Sequence, residues 1–131
     1  MIAFLDSNVV VHHLTQTPPR LGVRATALLR DATRLYLTDV VIAEIVFVLE
    51  RALKVARPRV AEIVHSLLAM PNIVAVDKGV IGRALQIYQR RSSHFVEAYL
   101  VATAESTGVD RIASFDRAID RIPTVTRVEL V

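Results

Sequence analysis

The sequence contains no cysteine among its 131 residues. This absence excludes a disulfide scaffold and thiolate metal sites, and it agrees with a reducing cytoplasm. Aromatic residues are also scarce, at 5%, so valine, leucine, isoleucine and alanine must build the core. The hydrophobic fraction of 53% is ample for such a core and excludes a disordered composition.

Long apolar segments are missing as well. The longest stretch without Asp, Glu, Lys or Arg covers residues 63–76, which is too short to span a bilayer. Asp6 interrupts the first apolar run after five residues, which argues against a secretory signal. We therefore expect a soluble, cytoplasmic protein without a membrane partner, folded as one domain over residues 1–131.

Lysine is nearly absent, since Lys54 and Lys78 are the only two among 16 Lys and Arg residues. The net charge is +3 and the pI is about 9.8. Arginine forks suit phosphate groups, and a basic surface suits nucleic acid. An equally simple explanation is an arginine-rich chain with ordinary solvated faces.

Apolar runs and helix signals alternate along the chain. This alternation predicts an α/β fold on a parallel sheet, in which ligands lie beyond the carboxyl ends of the strands. The predicted strands are Ile2–Leu5, Leu35–Leu37, Ile73–Val76, Arg111–Ala113 and Val125–Leu130. The predicted helices are Asn8–Leu14, Val23–Asp31, Asp39–Val55, Arg59–Ala69, Val80–Arg90, Phe95–Thr107 and a turn at Arg117–Asp120.

Four carboxylates stand where folding alone does not explain them. Asp6 and Asp116 each follow a predicted apolar strand, whereas Glu44 and Glu97 interrupt apolar helical runs. Acids in such settings are costly unless they are paired, hydrogen-bonded or bound to metal. If the fold brings the four together, they form a site for a hard divalent cation.

Each acid also has an ordinary structural explanation. Glu44 could form a buried pair with a distant arginine, and Glu97 could pair with His94. Asp6 could cap the helix that follows it, and Asp116 could be a turn residue. Six other acids and three histidines are interpreted as surface, capping, turn or core residues rather than ligands: Asp31, Glu50, Glu62, Glu105, Asp77, Asp110, His12, His13 and His65.

The four acids belong to four motifs: Asp6-Ser7-Asn8, the helix start Thr38–Glu44, Phe95-Val96-Glu97-Ala98 and Ser114-Phe115-Asp116. In this order the motifs resemble the PIN domain, and more narrowly a VapC-type toxin of a toxin–antitoxin pair. The resemblance covers essentially the whole chain. It implies a three-layer α/β/α fold, with a central, mostly parallel sheet flanked by helices.

The resemblance also implies a Mg²⁺- or Mn²⁺-dependent endoribonuclease, a hydrolase of RNA phosphodiester bonds. Asp6, Glu44, Glu97 and Asp116 would then be both the catalytic residues and the metal ligands. The family usually has Asp where this chain has Glu97, whose oxygens reach roughly 1.5 Å further. Groups supporting the ligands are implied at three positions: Ser7, Asn8 and Ser114.

Partners follow from the same resemblance: an RNA substrate, a cognate antitoxin whose tail occupies the cleft, and a second copy in a homodimer. RNA contact is expected mainly through phosphates, since few aromatic side chains are present for stacking. The candidate RNA-binding side chains are Arg20, Arg90, Arg91 and Arg117.

Three other functions remain open. A metal-dependent phosphatase would need a second acid near Asp6, where the chain has Ser7-Asn8. A phospho-receiver domain would need a late lysine, and neither Lys54 nor Lys78 follows the last strands. A PIN domain that binds RNA or a partner without cutting is the third, and Glu97 is its best support.

Overall fold

Three short parallel strands and the helices between them form the first compact unit, Met1–Val76, in a computed structural model. The structure describes residues 1–91 and 93–130, apart from the side chain of Arg91. The elements of this unit are β1 (Ile2–Phe4), α1 (Ser7–Thr15), α2 (Pro19–Asp31), β2 (Arg34–Tyr36), α3 (Asp39–Phe47), a π-helical turn (Val48–Ala52), α4 (Arg57–Leu68) and β3 (Ile73–Val74).

The strand order β1-β2-β3 places β2 in the centre of this sheet. Ala3 lies opposite Leu35, and Leu35 lies opposite Ile73, with all strands parallel. The carboxyl ends of β1 and β2 therefore meet at one edge of the sheet. Asp6 follows the first of these strands, and Thr38 follows the second.

Helix caps set where α1 and α3 begin. Asp6 accepts a hydrogen bond from the backbone N–H of Ser7, and the Thr38 hydroxyl accepts one from the N–H of Val41. The predicted capping by Thr38 is confirmed. Such caps satisfy helix N–H groups that have no partner within the helix.

The second compact unit, Asp77–Val131, contains two packed helices and a two-stranded parallel sheet. Its core includes Tyr88, whose ring meets the Phe95 ring edge-on at 6.2 Å. The elements are α5 (Lys78–Arg91), α6 (Phe95–Thr107), β4 (Arg111–Ala113), a 3-10 turn (Arg117–Arg121) and β5 (Thr126–Val128). Gly108 ends α6 with a φ of 78°, as its position predicted.

The α/β class with parallel strands is confirmed, and most predicted elements lie within two residues of their observed bounds. The α3 prediction was too long, because the chain leaves α-helical geometry at Val48. The first strand is parallel as predicted but not buried, with Ile2 62% and Phe4 76% exposed. This exposure fits its place at the edge of the three-stranded sheet. A single domain over residues 1–131 stays a prediction.

Among the described residues, no helix has the length together with the apolar character that crossing a bilayer requires.

Asn72 joins two elements of the first unit and offers a test of its packing. Its amide donates to the carbonyl oxygens of Leu29 and Ala32 at 2.8 and 3.0 Å, and so satisfies the end of α2. Asn72→Ala leaves these half-buried carbonyls without that donor. We expect it to lower the free energy of unfolding in urea by about 1–3 kcal/mol.

Gln89→Ala is the control, because Gln89 is exposed on α5 and its side chain makes no hydrogen bond within the described residues. It should change the free energy of unfolding by less than about 0.5 kcal/mol. Equal effects of the two variants would contradict the role given to Asn72.

Candidate active site

Two of the predicted carboxylates, Asp6 and Glu44, are linked through Ser7 in the first unit. Asp6 Oδ1 accepts from the Ser7 N–H at 2.8 Å, and the buried Ser7 hydroxyl donates to Glu44 Oε1 at 2.6 Å. A distance of 2.6 Å lies within the usual range of an O–H···O hydrogen bond. Within the described residues, the second oxygen of each carboxylate accepts no hydrogen bond from protein.

Glu44 reaches Ser7 because of its place on α3. Ile42, Ile45 and Val46 point into the core, which leaves Glu44 exposed on the opposite side of the helix. An acid within an apolar run is therefore not a buried acid here. The alternative of a buried pair with a distant arginine is wrong, since the observed partner is the Ser7 hydroxyl.

The other two carboxylates, Glu97 and Asp116, meet in the second unit. Glu97 lies in the first turn of α6, and Asp116 precedes the 3-10 turn that it caps. Asp116 Oδ1 accepts from the Ala118 N–H at 2.9 Å. The side chains of Glu97 and Asp116 also lie close enough for each to shift the pKa of the other.

The environment shifts the pKa values of these two carboxyl groups in opposite directions. Burial and the neighbouring Asp116 raise the pKa of Glu97 above the ordinary range of a glutamate. The Ala118 N–H and the neighbouring Glu97 lower the pKa of Asp116. Opposite shifts of this kind are typical of two carboxyl groups that share one site.

His94 is the basic group beside this pair. Its positive form favours the ionised state of both Glu97 and Asp116, and its backbone N–H donates to Glu97. This contact matches the sequence-based suggestion that His94 is a partner of Glu97. Arg121 also lowers the pKa of Asp116, and nothing in its sequence position indicated that.

The predicted supporting residues differ in what they contact. Ser7 donates to Glu44, and the Ser114 hydroxyl accepts from the Asp116 N–H at 3.0 Å. Asn8 is exposed and makes no side-chain hydrogen bond within the described residues. It instead lines a groove of about 480 Å³ between α1 and α2, together with His12 and Arg24.

The predicted RNA-binding arginines lie on both units. Arg20 is exposed in the first turn of α2, Arg90 is exposed near the end of α5, and Arg117 directly follows Asp116. The side chain of Arg91 lies outside the described residues. Sequence analysis overlooked Arg24, which has no partner within the described residues; the groove that it lines forms only when α1 and α2 pack.

Comparison with known proteins decides the family. The family model described as the PIN domain matches residues 3–125. The chain belongs to the PIN domain family. PIN domains are generally nucleases, and PIN nucleases generally use divalent metal ions.

This PIN domain is also similar to a chain in the crystal structure of VapBC2 from Rickettsia felis bound to a DNA fragment from their promoter. The similarity covers 98% of each chain, with 13% sequence identity and a TM-score of 0.39. A likeness at this level carries no argument about activity or partners. A comparison with curated proteins yields no match.

The donor groups of this PIN domain suit a hard divalent cation. All four predicted ligands are carboxylates, the oxygen donors that Mg²⁺ and Mn²⁺ prefer. Two carboxyl groups as close as Glu97 and Asp116 need a proton or a cation between them. Within either unit, however, the described residues bring no three His, Asp or Glu side chains into one metal-binding cluster. That all four carboxylates form one pocket stays a prediction.

The carboxyl pair makes a prediction about pH. Without divalent ions, Glu97 should titrate above, and Asp116 below, the ordinary range of each residue. The raised pKa of Glu97 adds stability at low pH, which is lost as pH rises through its folded value. The lowered pKa of Asp116 adds stability at higher pH, which is lost as pH falls through its folded value.

Carboxyl chemical shifts followed by NMR across pH 2–8 measure both midpoints directly. In the control variant Asp116→Asn, the titration midpoint of Glu97 should be lower than in the wild type. It should still lie above the ordinary range of a glutamate, because burial is the larger cause of the raised pKa. Ordinary midpoints for both groups in the wild type would contradict the opposite pKa shifts of the pair.

Proposed function

We propose that this PIN domain is a metal-dependent endoribonuclease of the VapC type, the toxin of a type II toxin–antitoxin pair acting in the cytoplasm. The observation that carries the proposal is the neighbouring carboxyl pair of Glu97 and Asp116 in a PIN family chain. Two carboxylates so close repel each other when both are ionised, which favours binding of a cation between them.

Asp6, Glu44, Glu97 and Asp116 are the proposed ligands of Mg²⁺ or Mn²⁺. When bound, such a cation activates water and stabilises the charge on the phosphoryl and leaving oxygens. Asp6 and Asp116 each use one oxygen to cap a helical turn, which fixes the orientation of the other oxygen. Ser7 holds Glu44 in the same way, through a single oxygen.

RNA contact is assigned to arginines through phosphate recognition. Arg117 is the strongest candidate because it is exposed and directly follows Asp116. Arg24 joins Asn8 and His12 at the groove between α1 and α2, where apolar side chains of Leu21 and Leu28 form part of the lining. Arg20, Arg90 and Arg91 remain candidates from the sequence.

The proposed partners are a cognate antitoxin and a second copy of this chain. Val40 and Phe47 of α3 are 78% and 63% exposed, and they offer an apolar surface for either partner. The helix α4 is committed to the core by Val60, Val64 and Leu67. An antitoxin arginine near the carboxylates would form charge-assisted hydrogen bonds.

A second candidate function is a PIN domain that binds RNA or a partner without cutting it. The observation that favours it is Glu97, which stands where the family usually has Asp. RNA cleavage by the purified wild-type protein would exclude this alternative, whereas metal-independent RNA binding without cleavage would favour it.

The direct test compares RNA cleavage by the wild type and Asp6→Asn in the presence of Mg²⁺ or Mn²⁺. Asparagine can still cap α1, so the variant removes the charge with little effect on the fold. We expect cleavage to fall by at least about 100-fold, and EDTA to abolish it in the wild type. Sequencing of the RNA ends would give the cut positions.

Asp77→Asn is the matched control for that test. Asp77 is exposed and accepts from the Val80 N–H at 3.0 Å, so it has a similar capping role but is not a proposed ligand. Its cleavage rate should equal that of the wild type. Metal-dependent cleavage that persists unchanged in Asp6→Asn would refute the proposed site.

Glu97→Asp tests whether the departure from the family pattern limits activity. Because Asp is the usual residue and the shorter side chain needs no backbone shift to bind metal, we expect cleavage to stay equal or rise. Single-turnover cleavage rates measure the change. A drop of tenfold or more, about 1.4 kcal/mol in the barrier, would mean that the local backbone is built for Glu.

A further inference from the structure

Arg127 is a charged side chain of the second unit that is nearly enclosed by protein. It lies on β5, opposite Ile112 of β4, and its side chain is only 7% exposed. Burial of a guanidinium is costly unless its donors are satisfied. The groups that Arg127 contacts therefore indicate which segment of the chain this side chain stabilises.

The groups that Arg127 contacts lie before and after Asp116 in the sequence. Nη1 of Arg127 donates to the carbonyl oxygen of Ser114 at 3.2 Å. Nε and Nη2 donate to the two carboxylate oxygens of Asp120 at 3.0 and 3.2 Å. Glu129 adds a longer ion pair at 3.6 Å. One rigid guanidinium thus ties residue 114 to residue 120.

The segment between these two points contains the local bonds that orient Asp116. The Asp116 N–H donates to the Ser114 hydroxyl at 3.0 Å, and Asp116 Oδ1 accepts from the Ala118 N–H at 2.9 Å. Both bonds depend on the path of the chain from Ser114 to the 3-10 turn. Arg127 holds the two ends of that path.

An ordinary surface ion pair does not account for this arrangement. The Asp120 side chain is 49% exposed, and a pair with such a partner contributes little stability. The bond to the Ser114 carbonyl adds a backbone contact that an ion pair alone lacks. This contact holds Ser114, whose hydroxyl accepts a hydrogen bond from the Asp116 N–H.

We propose that Arg127 is a positioning residue, which sets the Ser114–Asp120 segment so that the Asp116 carboxylate is presented in one orientation. The proposal rests on the proposed function for its consequence, since the gain from a fixed Asp116 is tighter metal binding. Groups that orient a ligand in this way typically change metal affinity by about 10–100-fold when removed.

The test compares Arg127→Met with Arg83→Met. Arg83 is a matched control because it also forms a two-pronged bond to one carboxylate, Glu105, at 2.7 and 2.9 Å, on α5 and α6 of the same unit. Both variants lose an arginine of similar bonding, but only Arg127 contacts the segment that carries Asp116.

Hydrogen exchange at the Asp116 and Ala118 amides is the first measurement. In Arg127→Met, exchange at both amides should rise at least tenfold relative to the wild type, while Arg83→Met leaves them within twofold. The second measurement is Mn²⁺ binding by calorimetry, where Arg127→Met should bind about tenfold more weakly and Arg83→Met as the wild type does.

Arg127→Lys and Asp120→Asn keep the test decisive if Arg127→Met fails to fold. Lysine retains the charge but not the fork, so exchange at the two amides should still rise. Asp120→Asn keeps the bond to Ser114 and should change exchange less than Arg127→Lys does. The reverse order would overturn the role of the Ser114 contact.

Wild-type exchange at both amides in Arg127→Met or Arg127→Lys would overturn the proposal. So would an equal rise in Arg83→Met, since that would mark a general loss of stability. If the wild type itself binds no Mn²⁺ and cuts no RNA, the proposed function fails, while the exchange measurement still decides whether Arg127 holds the segment.

Discussion

The proposed site depends on one local constraint: an aspartate that follows a parallel strand also caps the helical turn that comes next. Asp6 does this after β1, and Asp116 does it after β4. The cap uses one carboxylate oxygen and fixes the direction of the other. Because the cap occupies only one oxygen, the other oxygen of each aspartate stays available as a ligand. A capping role and a ligand role are therefore compatible at these positions.

The two glutamates meet these aspartates in physically different ways. Ser7 lies between Asp6 and Glu44, since its backbone N–H donates to Asp6 and its hydroxyl donates to Glu44. Glu97 and Asp116 instead lie beside each other, and the proximity of Asp116 contributes to the raised pKa of Glu97. Competition between metal and proton would therefore be expected at Glu97.

The fold and the local partners of the site were predictable to different degrees. Boundaries marked by local chemistry, such as Phe95–Thr107 before Gly108, follow from the sequence because caps and breakers act within one turn. The interpretation of Glu105 as a surface acid was wrong, since it is only 19% exposed and binds Arg83, 22 residues away. Ser7 and Glu44 are 37 residues apart. Such pairs arise from tertiary packing, to which a one-dimensional pattern gives no direct access.

The distinction between local contacts and contacts made by tertiary packing also changes what the arginine content implies. Five described arginines form ion pairs with nearby acids and add little to the field around the protein: Arg30, Arg57, Arg59, Arg83 and Arg127. Arg51 lies 6.0 Å from the centre of the Phe47 ring. A positive surface for the proposed RNA contact would therefore come from the remaining side chains, of which Arg117 is next to a proposed ligand and Arg24 lines a groove. Net charge alone cannot distinguish arginines that hold the fold from those that are free to meet phosphate.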